Sequence, residues 1–505
     1  MFRIALLAGS RALSFEMPDN GVAIPPPPPP EERIVDVTAA VRDAIRFPLS
    51  GAPLAELAKG KQHATIVVEP PALPVPGAVR DPRLEALVAV SDELEAAGIP
   101  SGYQTILIAA GLGRRPGRHE PAELVTPGFA RRFHGLVVVH DLEAPDLVSL
   151  GETEGIPLAV NRALKDTDLV VTVSAAESVL HGGPNLFLAA GTAAPLVAAQ
   201  ESPSLLETGG SRGWRLALAL ERALEREVPL FGISLALAAP KLGGLASGYP
   251  YDARTVGRIA RSHLRRALAL VPRSLRWRML ASAPAEIVAT AAFAGPPSVA
   301  HAEALLATLE ARTTAVAGEL DVICIPIPDT TLVLPRERPN PLAAATFGLG
   351  YAFRRWRESP PLAEGGTIVL VHGFERHFAH PTQQPYRAFF SALHLGRDRD
   401  LLAEIARGVG SDPRAIDIYR RGQSCHPLLP FADWEACQPA IERAGSIVAA
   451  GCHDAAAARQ LGFVPAHGLG QALDLATGHV GENARIGFLL GPPYATLRPA
   501  PAPES

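Results

Sequence analysis

Cysteine is scarce in this sequence. Only Cys324, Cys425, Cys437 and Cys452 occur in 505 residues. They are too few and too scattered for a disulfide scaffold or a CxxC zinc site, so a reduced compartment is the default expectation. Lysine is equally rare. Of 47 basic residues only Lys59, Lys61, Lys165 and Lys241 are lysines, which limits chemistry that needs a covalent amine. Long apolar runs are missing too. None reaches the roughly 18 residues of a spanning helix, and the apolar stretch at residues 4–8 is too short for a secretory signal. A cytoplasmic protein is expected. Net charge is small, −4 from 47 basic and 51 acidic residues. Bulk charge therefore argues for neither nucleic acid nor a membrane as partner.

What is abundant is apolar material, 48% against 19% charged, enough for sizeable cores and too much for a disordered chain. Length predicts more than one domain. There are 49 prolines. Six of them, Pro25 to Pro30, run consecutively and predict a stiff polyproline II spacer on the surface. Before it, residues 12–24 read as a strand-like opening.

From residue 64 the pattern alternates. Short β-branched runs at 65–68, 104–110, 136–139 and 169–173 predict strands, with a helix over 84–97. Strands buried on both faces of a mostly parallel sheet give such continuous runs. Residues 211–270 read as mainly helical, with arginine-rich faces over 254–266. A second alternation follows. Strands are predicted at 285–293, 320–326, 366–371, 447–450 and 485–490, and helices at 298–317 and 342–356. The fold class is α/β: two domains with mostly parallel sheets and a cleft between them. The boundary falls near residue 270, giving domains 1–270 and 271–497, with a flexible tail over 498–505.

The order of segments resembles the nickel-dependent lactate racemase (LarA) family over most of the chain. Phe15-Glu16-Met17-Pro18-Asp19 looks like its Phe-x-x-Pro-Asp opening. Val67-Val68 with Pro74-Val75-Pro76 looks like its Asp-x-Thr-Arg-Pro-x-Pro segment. Ala109-Ala110-Gly111-Leu112-Gly113-Arg114 looks like Ala-Thr-Gly-Thr-His-Arg. The nearest match is His140-Asp141 with Leu150-Gly151-Glu152-Thr153 and Gly155-Ile156-Pro157 through Asn161-Arg162. In the second half, Ala294-Gly295-Pro296 through His301 looks like Ala-Gly-Asp-Pro-x-x-Ala-His. Trp434 sits where the family has a tryptophan.

The resemblance implies an interdomain site and a nickel pincer nucleotide tethered to lysine. It implies racemisation or epimerisation of a small 2-hydroxy acid by hydride transfer, with a histidine on each face of the substrate. On this chain it points to His140 and His181 as catalytic, to Gly111, Gly113, Arg114 and Arg115 as cofactor-binding, and to Trp434 as substrate-binding, with a small anionic molecule as ligand. No metal ligand is assigned.

The departures fall on the chemistry. Gly113 stands at the family's first catalytic histidine. Pro70 and Leu73 stand at its Asp and Arg, with Glu69 one residue away. A strict alignment puts Val179 at the second histidine, and only a two-residue slip brings in His181. Residues 174–194 contain neither lysine nor arginine. Lys241, in Ala239-Pro240-Lys241-Leu242-Gly243-Gly244, is the remaining amine considered for the cleft and otherwise reads as a turn. The second function class is therefore a homologue that has lost the cofactor chemistry and binds an anionic ligand or partner in the cleft.

Each candidate also has a plain reading. Gly111 to Arg115 would be a strand-exit turn with two arginines, able to cradle an anion. His140-Asp141 would cap a loop at a strand end, and His181-Gly182-Gly183-Pro184 would be a turn. His372, His377 and His380 with Glu375 could bind a metal through imidazole, although the spacing fits no standard zinc site. Cys452-His453-Asp454 reads as a strand-end turn.

Overall fold

The computed structural model describes residues 3–30, 32–70, 78–79, 81–116, 127–243, 253–334, 337–490 and 494–500. Two six-stranded sheets organise it. From edge to edge, the first runs Ala289–Gly295, Leu230–Leu237, Leu169–Ala175, Ala64–Val68, Gln104–Ile108 and Leu136–Val139. All its pairings are parallel except that of the Ala289–Gly295 edge strand. The second sheet runs Val464–Ala466, Ser446–Ala450, Leu362–Val371, Leu320–Pro326, Ile486–Leu489 and Gly21–Ile24, parallel throughout. The β-branched runs at 65–68 and 169–173 become strands because both of their faces are covered, whereas the edge strand Leu136–Val139 leaves Leu136 and Val137 exposed. Ile66, Val67, Val170 and Val171 are fully buried, in register Val67↔Thr172 and Ile66↔Val171. Each such side chain contributes about 1.5–3 kcal/mol through burial.

The sheets divide the chain differently from a cut near residue 270. Gly21–Ile24, close to the start of the chain, is an edge strand of the second sheet. The hairpin Arg3–Ala8 with Arg11–Glu16 packs Ile4 and Leu6 against Val322, Cys324 and Val369 of that half. Conversely, Ala289–Gly295 closes the first sheet, antiparallel to Leu230–Leu237. The two halves thus exchange end segments.

Several expectations are corrected. The mainly helical reading of 211–270 misses Leu230–Leu237, a central strand. The helix expected over 298–317 ends at Arg312, and Thr313–Ala317 is a strand paired with Thr496–Ala500. Residues 498–500 therefore lie in a strand and not in a loose tail, while 501–505 fall outside the described residues. Pro74, Val75 and Pro76 of the resemblance also fall outside them.

The helix expected over 342–356 is an α-helical turn, Pro341–Ala345, continued by a wider π-helical stretch, Thr346–Ala352. Gly348 and Gly350 let this stretch pack closely. A Cβ on Gly348 would stand 2.6 Å from Leu370 Cδ2, and one on Gly350 would stand 3.1 Å from Ala436 Cβ. This unusual helix delivers Arg354 and Arg355 to the first half of the molecule.

Candidate functional site

In parallel sheets, ligands meet the protein beyond the carboxyl ends of the strands. Beyond Val68 and Ala175 of the first sheet come Glu69, Glu177, Ser178 and His181. Arg312, from the last turn of helix Pro297–Arg312, grips Glu177 with two bonds of 2.8 and 3.0 Å. Its remaining contacts include Leu237 O at 2.8 Å. Arg83 binds Asp81 at 2.6 Å and Glu69 at 2.9 Å. Burial pushes the Glu69 carboxyl up to about 7, and the nearby Arg83 only partly offsets this. Val68, Glu69, Asp81, Arg83 and Val173 are among the residues lining a cavity of about 20 Å³, room for about one water.

The second half contributes two consecutive arginines, both fully buried. Arg354 donates to Gly350 O, Ala436 O and Ser202 O. Burial draws it down to about 10. Arg355 Nη1 donates to Glu177 O at 3.2 Å and to Tyr351 Oη at 3.3 Å. Its Cζ stands 5.2 Å from the Tyr351 ring centre. Its Nε and Nη2 have no hydrogen-bond partner among the described residues. Neither Arg354 nor Arg355 touches a carboxylate among the described residues. A buried cation without a counter-charge is costly, and an anion placed against it removes that cost.

His181 belongs to this cluster. Its Nδ1 bonds Ser178 Oγ at 2.9 Å. Burial first, then Arg354, Arg83 and Arg355, hold its pKa down at about 4 against the pull of Glu177. It is a neutral imidazole at neutral pH. Gly182 and Gly183 curve over His301, with φ of +89° and +54°. A Cβ on Gly183 would lie 2.3 Å from His301 Cβ. The glycines thus serve close packing onto a histidine. His301 Nε2 donates to Ser178 O at 3.0 Å, so its Nδ1 accepts from Ser234 Oγ at 3.3 Å.

The other expected site residues sit elsewhere. His140 is buried at the outer edge strand. It donates through Nε2 to Gly191 O at 2.8 Å and accepts at Nδ1 from Asn161 at 3.1 Å. Burial holds it down at about 4. No contact joins it to His181 among the described residues. The turn Gly111 to Arg115 latches the two halves together. Leu112 O accepts from His426 N at 3.0 Å, and Arg114 donates to Gly422 O at 3.3 Å. Arg115 spends Nε, Nη1 and Nη2 on His140 O, Arg420 O and Val139 O. A Cβ on Gly113 would stand 2.8 Å from Val333 Cγ1. Trp434 is buried in the core of the second half beside Phe389. His372 faces Asp329 at 3.5 Å. Among the described residues no group of three His, Cys, Asp or Glu side chains could hold a metal.

Glu177, Arg312, Tyr351, Arg354 and Arg355 went unremarked in the sequence. Part of the signal was present: two adjacent arginines close a run from Leu342 to Phe353 that carries no charge, and one glutamate follows a strand that carries none.

Residues 8–181 match the model of the lactate racemase N-terminal domain. The first third of the chain is thus similar in sequence to a lactate racemase domain. Its fold is similar to that of the lactate racemase apoprotein from Thermoanaerobacterium thermosaccharolyticum, with a TM-score of 0.61 at 17% identity over 98% of this chain and 100% of that one. A Thermotoga maritima protein of known structure matches at a TM-score of 0.49 and 12% identity, over 91% of this chain and 97% of that one. No curated protein matches the sequence.

The pincer nucleotide implied by the family does not fit the residues of this lactate racemase-like chain. Lys165 is paired with Glu227 and Lys241 with Glu286, each at 2.7 Å. Lys59 closes the short helix Leu54–Ala58, and Lys61 lies near Asp168. Among the described residues none of the four makes a hydrogen bond or ion pair with Glu177, Arg312, Arg354 or Arg355. The ring nitrogens of His140 and His301 are already engaged.

Proposed function

We propose that this lactate racemase-like chain binds a small carboxylate anion between its two halves through Arg355, without hydride-transfer chemistry. The observation that carries this reading is a fully buried guanidinium with two nitrogens, Nε and Nη2, that have no hydrogen-bond partner among the described residues. Two parallel donors on one guanidinium match a carboxylate. Tyr351 stacks against the same guanidinium, and the neutral His181 stands in its electrostatic neighbourhood. The match of residues 8–181 to a lactate racemase domain makes 2-hydroxy acids the first ligands to try. Racemisation would need a proton acceptor on each face of the substrate. Gly113 offers none where the family has its first histidine, and Val333 fills the adjacent space.

Calorimetric titration with D-lactate, L-lactate and acetate tests the reading. Saturable binding that weakens at least tenfold in Arg355→Met supports it. Absence of binding, or equal binding by a folded Arg355→Met protein, overturns it. Interconversion of D- and L-lactate by the purified protein would overturn its second half.

A further inference from the structure

Residues 253–283 contain eight arginines and no Asp, Glu or Lys, while the whole chain carries −4. The remainder of the molecule is therefore acidic, and a whole-chain average conceals the contrast. Three consecutive helices build the segment: Ala253–Arg261, His263–Leu270 and Arg273–Ala281. None has an acidic residue in its first turn.

Elsewhere on the surface, arginines hold carboxylates, as Arg212 holds Glu154 and Glu201, Arg399 holds Glu435 and Arg498 holds Glu358. In this segment Arg273 pairs with Asp329 and Glu375, whereas among the described residues Arg258 bonds only Thr255 and Arg261 only the carbonyl of Gly257. These two, with Arg266 and Arg278, are exposed and have no carboxylate partner among the described residues. Apolar side chains stand out beside them. Leu270 is 88% exposed, Leu275 49% and Met279 46%. Leu275 and Met279 are four residues apart, so they share one stripe of their helix. Trp277 on the same helix is half-buried.

From this we infer that the helical segment 253–283 docks the protein onto an anionic lipid surface. Arginine supplies the attraction to lipid headgroups, and Leu270, Leu275 and Met279 enter the headgroup–acyl boundary. Nucleic acid is the less suitable anion. Base stacking calls for exposed aromatic rings, whereas the exposed large apolar side chains here are aliphatic.

The test is co-sedimentation of the full chain with vesicles of equal parts phosphatidylcholine and phosphatidylglycerol. Pure phosphatidylcholine vesicles and a labelled DNA duplex serve as comparisons. The proposal expects binding to the mixed vesicles only, weakening with salt. The double variant Arg266→Glu/Arg278→Glu should lose at least tenfold, since each arginine near such a surface is worth about fivefold. Leu275→Ser/Met279→Ser should lose binding while the salt dependence is kept. Both pairs are exposed, and an unchanged melting temperature verifies that each variant is folded. No binding to the mixed vesicles, equal binding to pure phosphatidylcholine, tighter binding to the duplex, or full binding by either folded variant would overturn the proposal.

Discussion

Arg355→Met is the most informative substitution, because stability and ligand binding should move in opposite directions. The arginine is fully buried, and two of its donors, Nε and Nη2, lack partners. A buried donor without a partner costs about 1–3 kcal/mol. Removing two of them gains about 2–6 kcal/mol. The change also deletes the bonds to Glu177 O and Tyr351 Oη, worth about 0.5–1.5 kcal/mol each. Methionine keeps most of the aliphatic stem and adapts its shape to the space. Taken at the middle of these ranges, the ligand-free variant should therefore be more stable than the parent by about 2 kcal/mol. The assay is urea unfolding followed by tryptophan fluorescence, read as a midpoint shift at unchanged slope. With carboxylate at a hundred times its dissociation constant, the parent should gain about 2.7 kcal/mol and the variant nothing. A lower midpoint for the ligand-free variant would mean that the guanidinium is already satisfied, and the argument for an anion would fail.

Three further outcomes follow from the same structure. Gly183→Ala should destabilise by about 2–4 kcal/mol, combining overpacking against His301 with a left-handed backbone. Gly51→Ala, with φ of +80° and open space around it, should lose only the backbone share of about 1–2 kcal/mol. Equal losses in urea melts would contradict the packing argument. Gly113→His should cost about 1–3 kcal/mol through Val333 and gain no lactate interconversion, read by chiral chromatography.

Proton linkage gives the last. Glu69 is raised from 4.5 to about 7 in the folded state, so its contribution is complete below pH 4.5 and lost as pH climbs to about 7. His140, His181 and His301 are lowered from 6.5 to about 4, so theirs is complete above 6.5 and lost as pH falls toward 4. Between pH 4.5 and 6.5 the two trends oppose each other. Glu69→Gln removes one proton bound by the folded state, and stability should then rise more steeply with pH, by about 1.4 kcal/mol per unit. An unchanged slope would show that Glu69 is not buried as described.

Strand positions were largely legible because burial on both faces writes unbroken apolar runs, as at 66–68 and 368–371. Leu230–Leu237 was not. Its residues, Leu230-Phe231-Gly232-Ile233-Ser234-Leu235-Ala236-Leu237, hold only one β-branched side chain, and a fully buried strand has no period to betray it. Gly232 is there because Pro297 crosses close by, 2.6 Å from the place of a Cβ. Thr313–Ala317 read as helix although Thr313, Thr314 and Val316 favour a strand. Its pairing with Thr496–Ala500, from the far end of the chain, is a tertiary fact. The site was legible only in part. Histidines and glycines marked out His140, whose ring is engaged by Gly191 O and Asn161, and the turn at Gly111, which holds the two halves together through Leu112 O, Arg114 and Arg115. The charges that meet between the halves come from distant stretches, Glu177 at the end of a strand and Arg312, Arg354 and Arg355 at helix ends. Local spacing carries no trace of their meeting.

Intact-mass spectrometry, after expression in cells that synthesise the pincer nucleotide, tests the central claim most directly. The account predicts the unmodified mass of the polypeptide and D-lactate left unchanged on incubation. A lysine adduct with equilibration of the two lactate enantiomers would contradict it.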